Sequence, residues 1–221
     1  MTSPRLLLMD VDSTLIKEEV IDLLAARAGV GAEVAAITER AMQGELDFSQ
    51  SLAHRVSLLA GLNESALHDV RADIHLSEGA EVLIATLQAH QIKVGVVSGG
   101  FMNVIAPLAN SLHLDFARAN QLEILDGALT GRTTGPVITR AAKAEALREF
   151  ATENDIALNE TIAVGDGAND LDMLELAGIG IAFNAKPKVQ EAADVAITNG
   201  RLDEILNYFG IPREKWVVAN S

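Results

Sequence analysis

The chain has 221 residues, and 31 acidic against 17 basic side chains give a formal net charge of −14. That length suits one domain or two small ones with a substantial buried core, and an apolar content of 49% excludes disorder as the dominant state. A pI near 4.7 speaks against nucleic acid or an anionic membrane held by bulk charge, while the absence of cysteine removes disulfides, zinc thiolates, iron–sulfur clusters and thiol nucleophiles together.

The N-terminal run is short, broken by Asp10, and lacks a signal-type cleavage site. Its apolar part, Leu6–Met9, predicts a strand. The next eighty or so residues hold no convincing strand and read as helices: Glu18–Ala28 stopped by Gly29, Glu33–Gln43 before Gly44, Phe48–Ala60 stopped by Gly61, then Glu64–Arg71. A single crossover helix needs far fewer residues. Residues 15–77 are therefore expected to form a separate helical cap subdomain, inserted into a core made of 1–14 and 78–221.

Beyond the insertion come a helix over Ala80–Ala89 and a strand over Val94–Val97. The stretch Val94–Leu114 is free of charge and long enough for a bilayer, but Ser98, Gly99, Gly100, Asn103 and Pro107 interrupt it. A strand, a tight loop and a helix over Phe101–Leu112 explain it better. Gln121–Thr130 reads as a hairpin about Asp126–Gly127. A helix over Ala141–Ala151 and strands Thr161–Val164, Ile179–Phe183 and Val195–Ile197 complete the pattern. Apolar runs alternating with helices predict an α/β fold, a Rossmann-like parallel sheet covered on both faces.

Three motifs follow three of these strands, where open parallel sheets bind ligands. Asp10-Val11-Asp12-Ser13-Thr14 places two carboxylates at a strand end, where they repel unless a hard divalent cation compensates. An EF-hand calcium loop is a poor fit, with Leu15 at the turn-glycine position and Ile21 at that of the bidentate glutamate. Ser98-Gly99-Gly100 offers a hydroxyl and close backbone approach to an anion. Gly165-Asp166-Gly167-Ala168-Asn169-Asp170 lacks the third glycine of a dinucleotide fingerprint, yet its acids suit Mg²⁺; Asn169 or Asp170 could equally cap a helix through Leu176. Lys143, on the helix before that motif, is ordinarily a solvated residue and gains weight only as a counter-charge to phosphate. Together the motifs describe one sheet edge that holds a metal and a phosphoryl group.

As an ordered set spanning nearly the whole chain, they resemble the haloacid dehalogenase superfamily of phosphatases, and within it the phosphoserine phosphatases. Some members of that branch carry an N-terminal regulatory domain; this sequence starts at the first strand and is expected to lack one. The resemblance implies Mg²⁺-dependent hydrolysis of O-phospho-L-serine through an aspartyl-phosphate, the last step of serine biosynthesis. It implies Asp10 as nucleophile and Asp12 as general acid and base. Mg²⁺ would be held by Asp10, the carbonyl of Asp12, and Asp166, with Asp170 and Asn169 in or beside the shell. Ser98, the Gly99 amide and Lys143 would hold the phosphoryl oxygens, with Asn169 also at the phosphate. Glu19 would take the substrate ammonium and Arg55 its carboxylate, beside an apolar wall of Met42 and Phe48.

The five histidines form no close metal-ligand pair, and Trp216 is expected to pack the tail onto the core. Transfer to an alcohol acceptor keeps the same chemistry and is an alternative. A non-catalytic binder is disfavoured by the presence of Asp10, Asp12, Lys143 and Asp166. The expected partner is a small molecule, with no nucleic acid and no membrane, for a cytoplasmic monomer or homodimer.

Overall fold

A computed structural model describes residues 3–42 and 45–217, with the backbone alone at Met42. Seven strands form one sheet in the order β4-β3-β2-β1-β5-β6-β7: β1 (Leu6–Met9), β2 (Lys93–Phe101), β3 (Phe116–Leu125), β4 (Ala128–Thr134), β5 (Thr161–Gly165), β6 (Ile179–Phe183) and β7 (Val195–Ile197). All neighbours pair in parallel except β3 and β4. Successive side chains of a strand face opposite ways, and β1 shows the result. Leu7 and Met9 join one apolar core, Leu6 and Leu8 the other, all four without solvent contact. An uninterrupted apolar run is what a central strand covered on both faces requires.

Helices α1 (Val20–Ala28), α2 (Gly31–Met42), α3 (Phe48–Ser57) and α4 (Ser65–Asp69) lie between β1 and β2, followed by a 3-10 turn Val70–Asp73 and α5 (Ala80–Ala89). Gly29 ends α1 at φ 73°, in the left-handed region that only glycine enters without strain. Asp47 and Gln50 close a reciprocal capping box at the start of α3. The two ends of the segment run side by side. Ile16 bridges Leu76, Lys17 N–H donates to His75 O at 2.9 Å, and Ser77 N–H donates to Leu15 O at 2.9 Å.

The remaining helices are α6 (Met102–Ser111), α7 (Arg140–Glu153), α8 (Leu171–Leu176) and α9 (Pro187–Ala192). Among the described residues, no helix is long and apolar enough to cross a membrane. Pro107 lies inside α6 and has no N–H for the Asn103 carbonyl four residues earlier. Arg71 Nη2 donates to that carbonyl instead, at 3.2 Å, tying the end of the helical segment to α6. In the tail, Trp216 Nε1 donates to Ile211 O at 3.0 Å and Val217 N–H to Thr86 Oγ1 at 2.8 Å.

Two local expectations need correction. The tight loop expected at Ser98-Gly99-Gly100 is a bulge inside β2, which runs on to Phe101. Val97 pairs Arg118 while Phe101 pairs Asn120, so four steps on β2 span two on β3. Side chains satisfy the bulged backbone: Gly100 N–H donates to Ser98 Oγ at 2.7 Å, and Asn120 Nδ2 donates to Gly99 O at 2.8 Å. Helix α1 starts at Val20 rather than Glu18, where Asp12 Oδ1, across the turn, accepts the Val20 N–H at 2.8 Å.

The β3–β4 hairpin turns on Asp126 and Gly127, both at positive φ as a two-residue primed turn demands. It is laced to the helical segment: Gly61 N–H donates to Leu129 O at 2.8 Å, Leu129 N–H to Leu62 O at 2.8 Å, and Glu64 N–H to Gly127 O at 2.9 Å. Gly131 makes this close approach possible. Its φ is +80°, and a Cβ there would lie 2.9 Å from Ala60 Cβ and 3.1 Å from Ser57 O. Gly131→Ala is expected to cost about 1–3 kcal/mol in urea unfolding; wild-type stability would contradict this packing.

Candidate active site

The strand order sets β2, β1 and β5 side by side, so the segments that follow their carboxyl ends converge. Asp10 is the first residue after β1. Its N–H donates to Val164 O at 2.9 Å, continuing the β1–β5 ladder by one step, and its Oδ1 accepts the Val11 N–H at 2.7 Å. Its Oδ2 lies 2.9 Å from Lys143 Nζ. The same ammonium donates to Asp170 Oδ1 at 2.6 Å, and Asp170 Oδ2 accepts the Gly167 N–H at 3.0 Å. Lys143 and Asp170 have no solvent contact, and Asp10 is 4% exposed. Gly165 makes room for this arrangement, since a Cβ there would sit 2.4 Å from Asp170 Cγ. Asp170 therefore serves the ion pair and makes no side-chain cap for α8.

Asp12 points the other way along the same edge. Its Oδ2 accepts from Ser98 Oγ at 2.8 Å, and a Cβ at Gly100 would lie 2.6 Å from that oxygen. Asp166 Oδ1 accepts from Thr14 Oγ1 at 3.3 Å. Thr14 is buried in turn, and its carbonyl accepts from Ser77 Oγ at 2.6 Å.

Burial raises the pKa of Asp10, and the charge of Asp170 adds to this while Lys143 opposes it. Burial likewise raises Asp12, against the hydrogen bonds from Val20 and Ser98. Burial and the charge of Asp170 push Asp166 up to about 6. For Lys143, burial favours the neutral amine, but Asp10 and Asp170 outweigh it and hold the ammonium above its ordinary value. One carboxylate oxygen each from Asp10, Asp166 and Asp170 lie within 4.8 Å of one another. Three acids against one ammonium leave negative charge uncompensated, and the donors are all oxygen. That set fits a hard divalent cation.

A cavity of about 200 Å³ opens over this edge, lined by Asp10, Asp12, Glu19, Ile21, Phe48, Leu52, Arg55, Gly99, Gly100, Phe101, Asp166 and Asn169. The Phe48 ring closes onto the bulge, with its Cζ 2.9 Å from where a Gly99 Cβ would stand. Arg55 is half-buried on α3, and its Nε donates to Ser51 O at 3.4 Å. Glu19 remains accessible at the mouth. The cleft walls still thin its water, and with Asp12 nearby its pKa is pushed up to about 7. Ser98, Lys143 and Asp170 are fully buried and do not line the cavity. The Met42 side chain lies outside the described residues. Sequence reading missed Asn120, whose Oδ1 accepts the Ile138 N–H at 2.8 Å while its amide holds Gly99. It lies in no motif, and its partners meet only in three dimensions.

A sequence model of the haloacid dehalogenase-like hydrolases matches residues 7–175, about three quarters of the chain. The chain belongs to the haloacid dehalogenase-like hydrolase family. Within that family it is 56% identical to a phosphoserine phosphatase of Streptomyces coelicolor, over 98% of this chain and 53% of that protein. It therefore spans about half the length of that relative. It is 52% identical to a phosphoserine phosphatase of Streptococcus thermophilus over 91% of this chain and 94% of the relative. A solved phospho-aspartyl intermediate analogue of phosphoserine phosphatase superposes with a TM-score of 0.87 at 45% identity, covering 94% of this chain and 99% of that one.

Lys143→Met leaves Asp10 and Asp170 buried without their cation. In EDTA the variant is expected to lose about 3–5 kcal/mol of unfolding free energy. A loss below about 1 kcal/mol would show that the ammonium does not hold the cluster together.

Proposed function

We propose that the protein is a Mg²⁺-dependent phosphoserine phosphatase, releasing serine and phosphate from O-phospho-L-serine as the last step of serine biosynthesis. The observation that carries this reading is the charge layout of one small cavity. Asp10, Asp12, Glu19 and Arg55 all line it. A phosphomonoester bearing both an ammonium and a carboxylate matches that layout, and relatives close to the full length of this chain carry the same name.

Asp10 attacks phosphorus, forming the aspartyl–phosphorus bond as the bond to the serine oxygen breaks. Asp12, its pKa raised by burial, holds a proton for the departing oxygen. It then takes a proton from the water that attacks the phosphorus of the acyl phosphate, which returns Asp10 as a carboxylate. Asp10, Asp166 and the Asp12 carbonyl would hold Mg²⁺, with Asp170 and Asn169 in or beside its shell; the ion supplies the positive charge that lets two anions meet. Lys143 favours the carboxylate form of Asp10, against its burial, and fixes the orientation of that carboxylate, and it would provide a cation near the phosphoryl group. The Ser98 hydroxyl, the Gly99 amide and Asn169 complete the phosphate site. The Ser98 proton that rests on Asp12 turns to a phosphoryl oxygen when substrate arrives.

Residues 15–77 act as a cap on the core formed by 1–14 and 78–221. The single bridge between Ile16 and Leu76 offers a narrow hinge, and Phe48 supplies an apolar surface that excludes water. The enzyme works on a free metabolite in the cytoplasm, as a monomer or homodimer.

Phosphate release from L-phosphoserine tests the reading. Activity is expected with Mg²⁺, abolished by EDTA, and reduced at least roughly a thousandfold in Asp10→Asn. Release from other phosphomonoesters but not from L-phosphoserine would overturn the substrate. EDTA-resistant release would overturn the metal.

A further inference from the structure

The turn after β1 carries a hydroxyl that none of these roles employs. Ser13 sits at φ 55°, in the left-handed region where glycine is the least strained residue. A serine there carries a conformational cost, and its side chain is engaged. Ser13 Oγ donates to Glu19 Oε1 at 2.7 Å. The same turn grips the residues on either side of Glu19 through the main chain. Ser13 N–H donates to Glu18 O at 3.2 Å, and Val20 N–H donates to Asp12 Oδ1 at 2.8 Å. Glu19 is thus bracketed by the turn that bears Asp10 and Asp12, although it stands at the threshold of α1. Its side chain makes no capping bond to that helix. An accessible glutamate has many rotamers, and fixing one on binding costs free energy. The Ser13 hydroxyl removes that freedom before a ligand arrives and engages only one of the two carboxylate oxygens.

We propose that Ser13 is a positioning residue for substrate specificity: its hydroxyl aims the Glu19 carboxylate at the substrate ammonium, so that the nucleophile turn also sets the group that reads the amine. The inference rests on the phosphoserine reading. Ser13 itself does not line the cavity and acts through Glu19.

The test compares kcat/KM for L-phosphoserine with kcat/KM for 3-phosphonooxypropanoate, the same ester with hydrogen in place of the ammonium. General damage to folding or phosphoryl transfer affects both and cancels in the ratio. Ser13→Gly is the variant of choice, because glycine accepts the backbone angle and only the hydroxyl is lost. Wild type is expected to prefer phosphoserine, and Glu19→Gln to lose most of that preference. Ser13→Gly is expected to lower the ratio roughly tenfold, mainly through KM, the scale of one hydrogen bond to a charged group. The double variant is expected to match Glu19→Gln alone, since a residue acting through Glu19 has nothing left to position. An unchanged ratio in Ser13→Gly, with Glu19→Gln still impaired, would overturn this inference alone. So would a double variant that loses the product of the two single effects. A wild type that does not prefer phosphoserine would overturn the substrate reading and this inference with it.

Discussion

Lys143 holds its ammonium between Asp10 and Asp170 with no solvent contact, and the rest of the site depends on that position. Asp10, Asp166 and Asp170 crowd one edge of a sheet. At such separations two carboxylates repel by roughly 3–4 kcal/mol at an effective dielectric of about 20. Burial and the charge of Asp170 raise the Asp10 pKa, and the Lys143 ammonium opposes that rise. A lysine suits the place because one compact charge with three donors can serve two acids at once. Its own burial is offset by those acids, which is why the amine stays charged where desolvation alone would neutralise it.

The fold makes that meeting possible by adjacency. Strand β1 lies between β2 and β5, so the segments bearing Asp12, Ser98 and Asp166 emerge side by side. Helix α7 delivers Lys143 from its first turn. Glycine leaves the room these side chains need, at Gly165 under Asp170 and at Gly100 under Asp12. The second half of the site comes from a different part of the chain. Glu19 precedes α1, and Phe48 and Arg55 come from α3, so this part of the cavity lining is carried by the segment between β1 and β2. The hairpin braces that segment from the other side through Gly61, Leu62 and Glu64. The sheet edge and the helical segment thus meet in one cavity.

Much of this was legible in the sequence, for identifiable reasons. Leu6–Met9 is apolar on both faces and could only be a covered strand. The helix over Ala80–Ala89 was readable to the residue because its apolar spacing and flanking glycine agree. Asp126–Gly127 announced a hairpin through its tolerance of positive φ. That Asp10, Asp12 and Asp166 share an edge followed from the apolar run before each motif. What stayed hidden depends on side-chain partners that local spacing does not reveal. Asp12 caps α1 from across the turn, where it starts at Val20. Asn120 steadies the Ser98–Gly100 bulge from β3, turning an expected loop into strand. Lys143 looks like any helical lysine by spacing alone and was assigned a role only through the family resemblance; its ion pairs with Asp10 and Asp170 appear only in the tertiary structure. Local propensity and spacing do not encode such long-range hydrogen bonds and ion pairs.

On the proposed reading Asp10, whose protonation Lys143 opposes, becomes covalently phosphorylated during turnover. The most direct measurement is acid-quenched trapping with L-phosphoserine labelled in its phosphorus, followed by hydroxylamine treatment and peptide mapping. The account requires a hydroxylamine-labile label on the peptide bearing Asp10, absent in Asp10→Asn and diminished in Lys143→Met. Turnover with no trapped label at the earliest quench times, or label on a different residue, would contradict it.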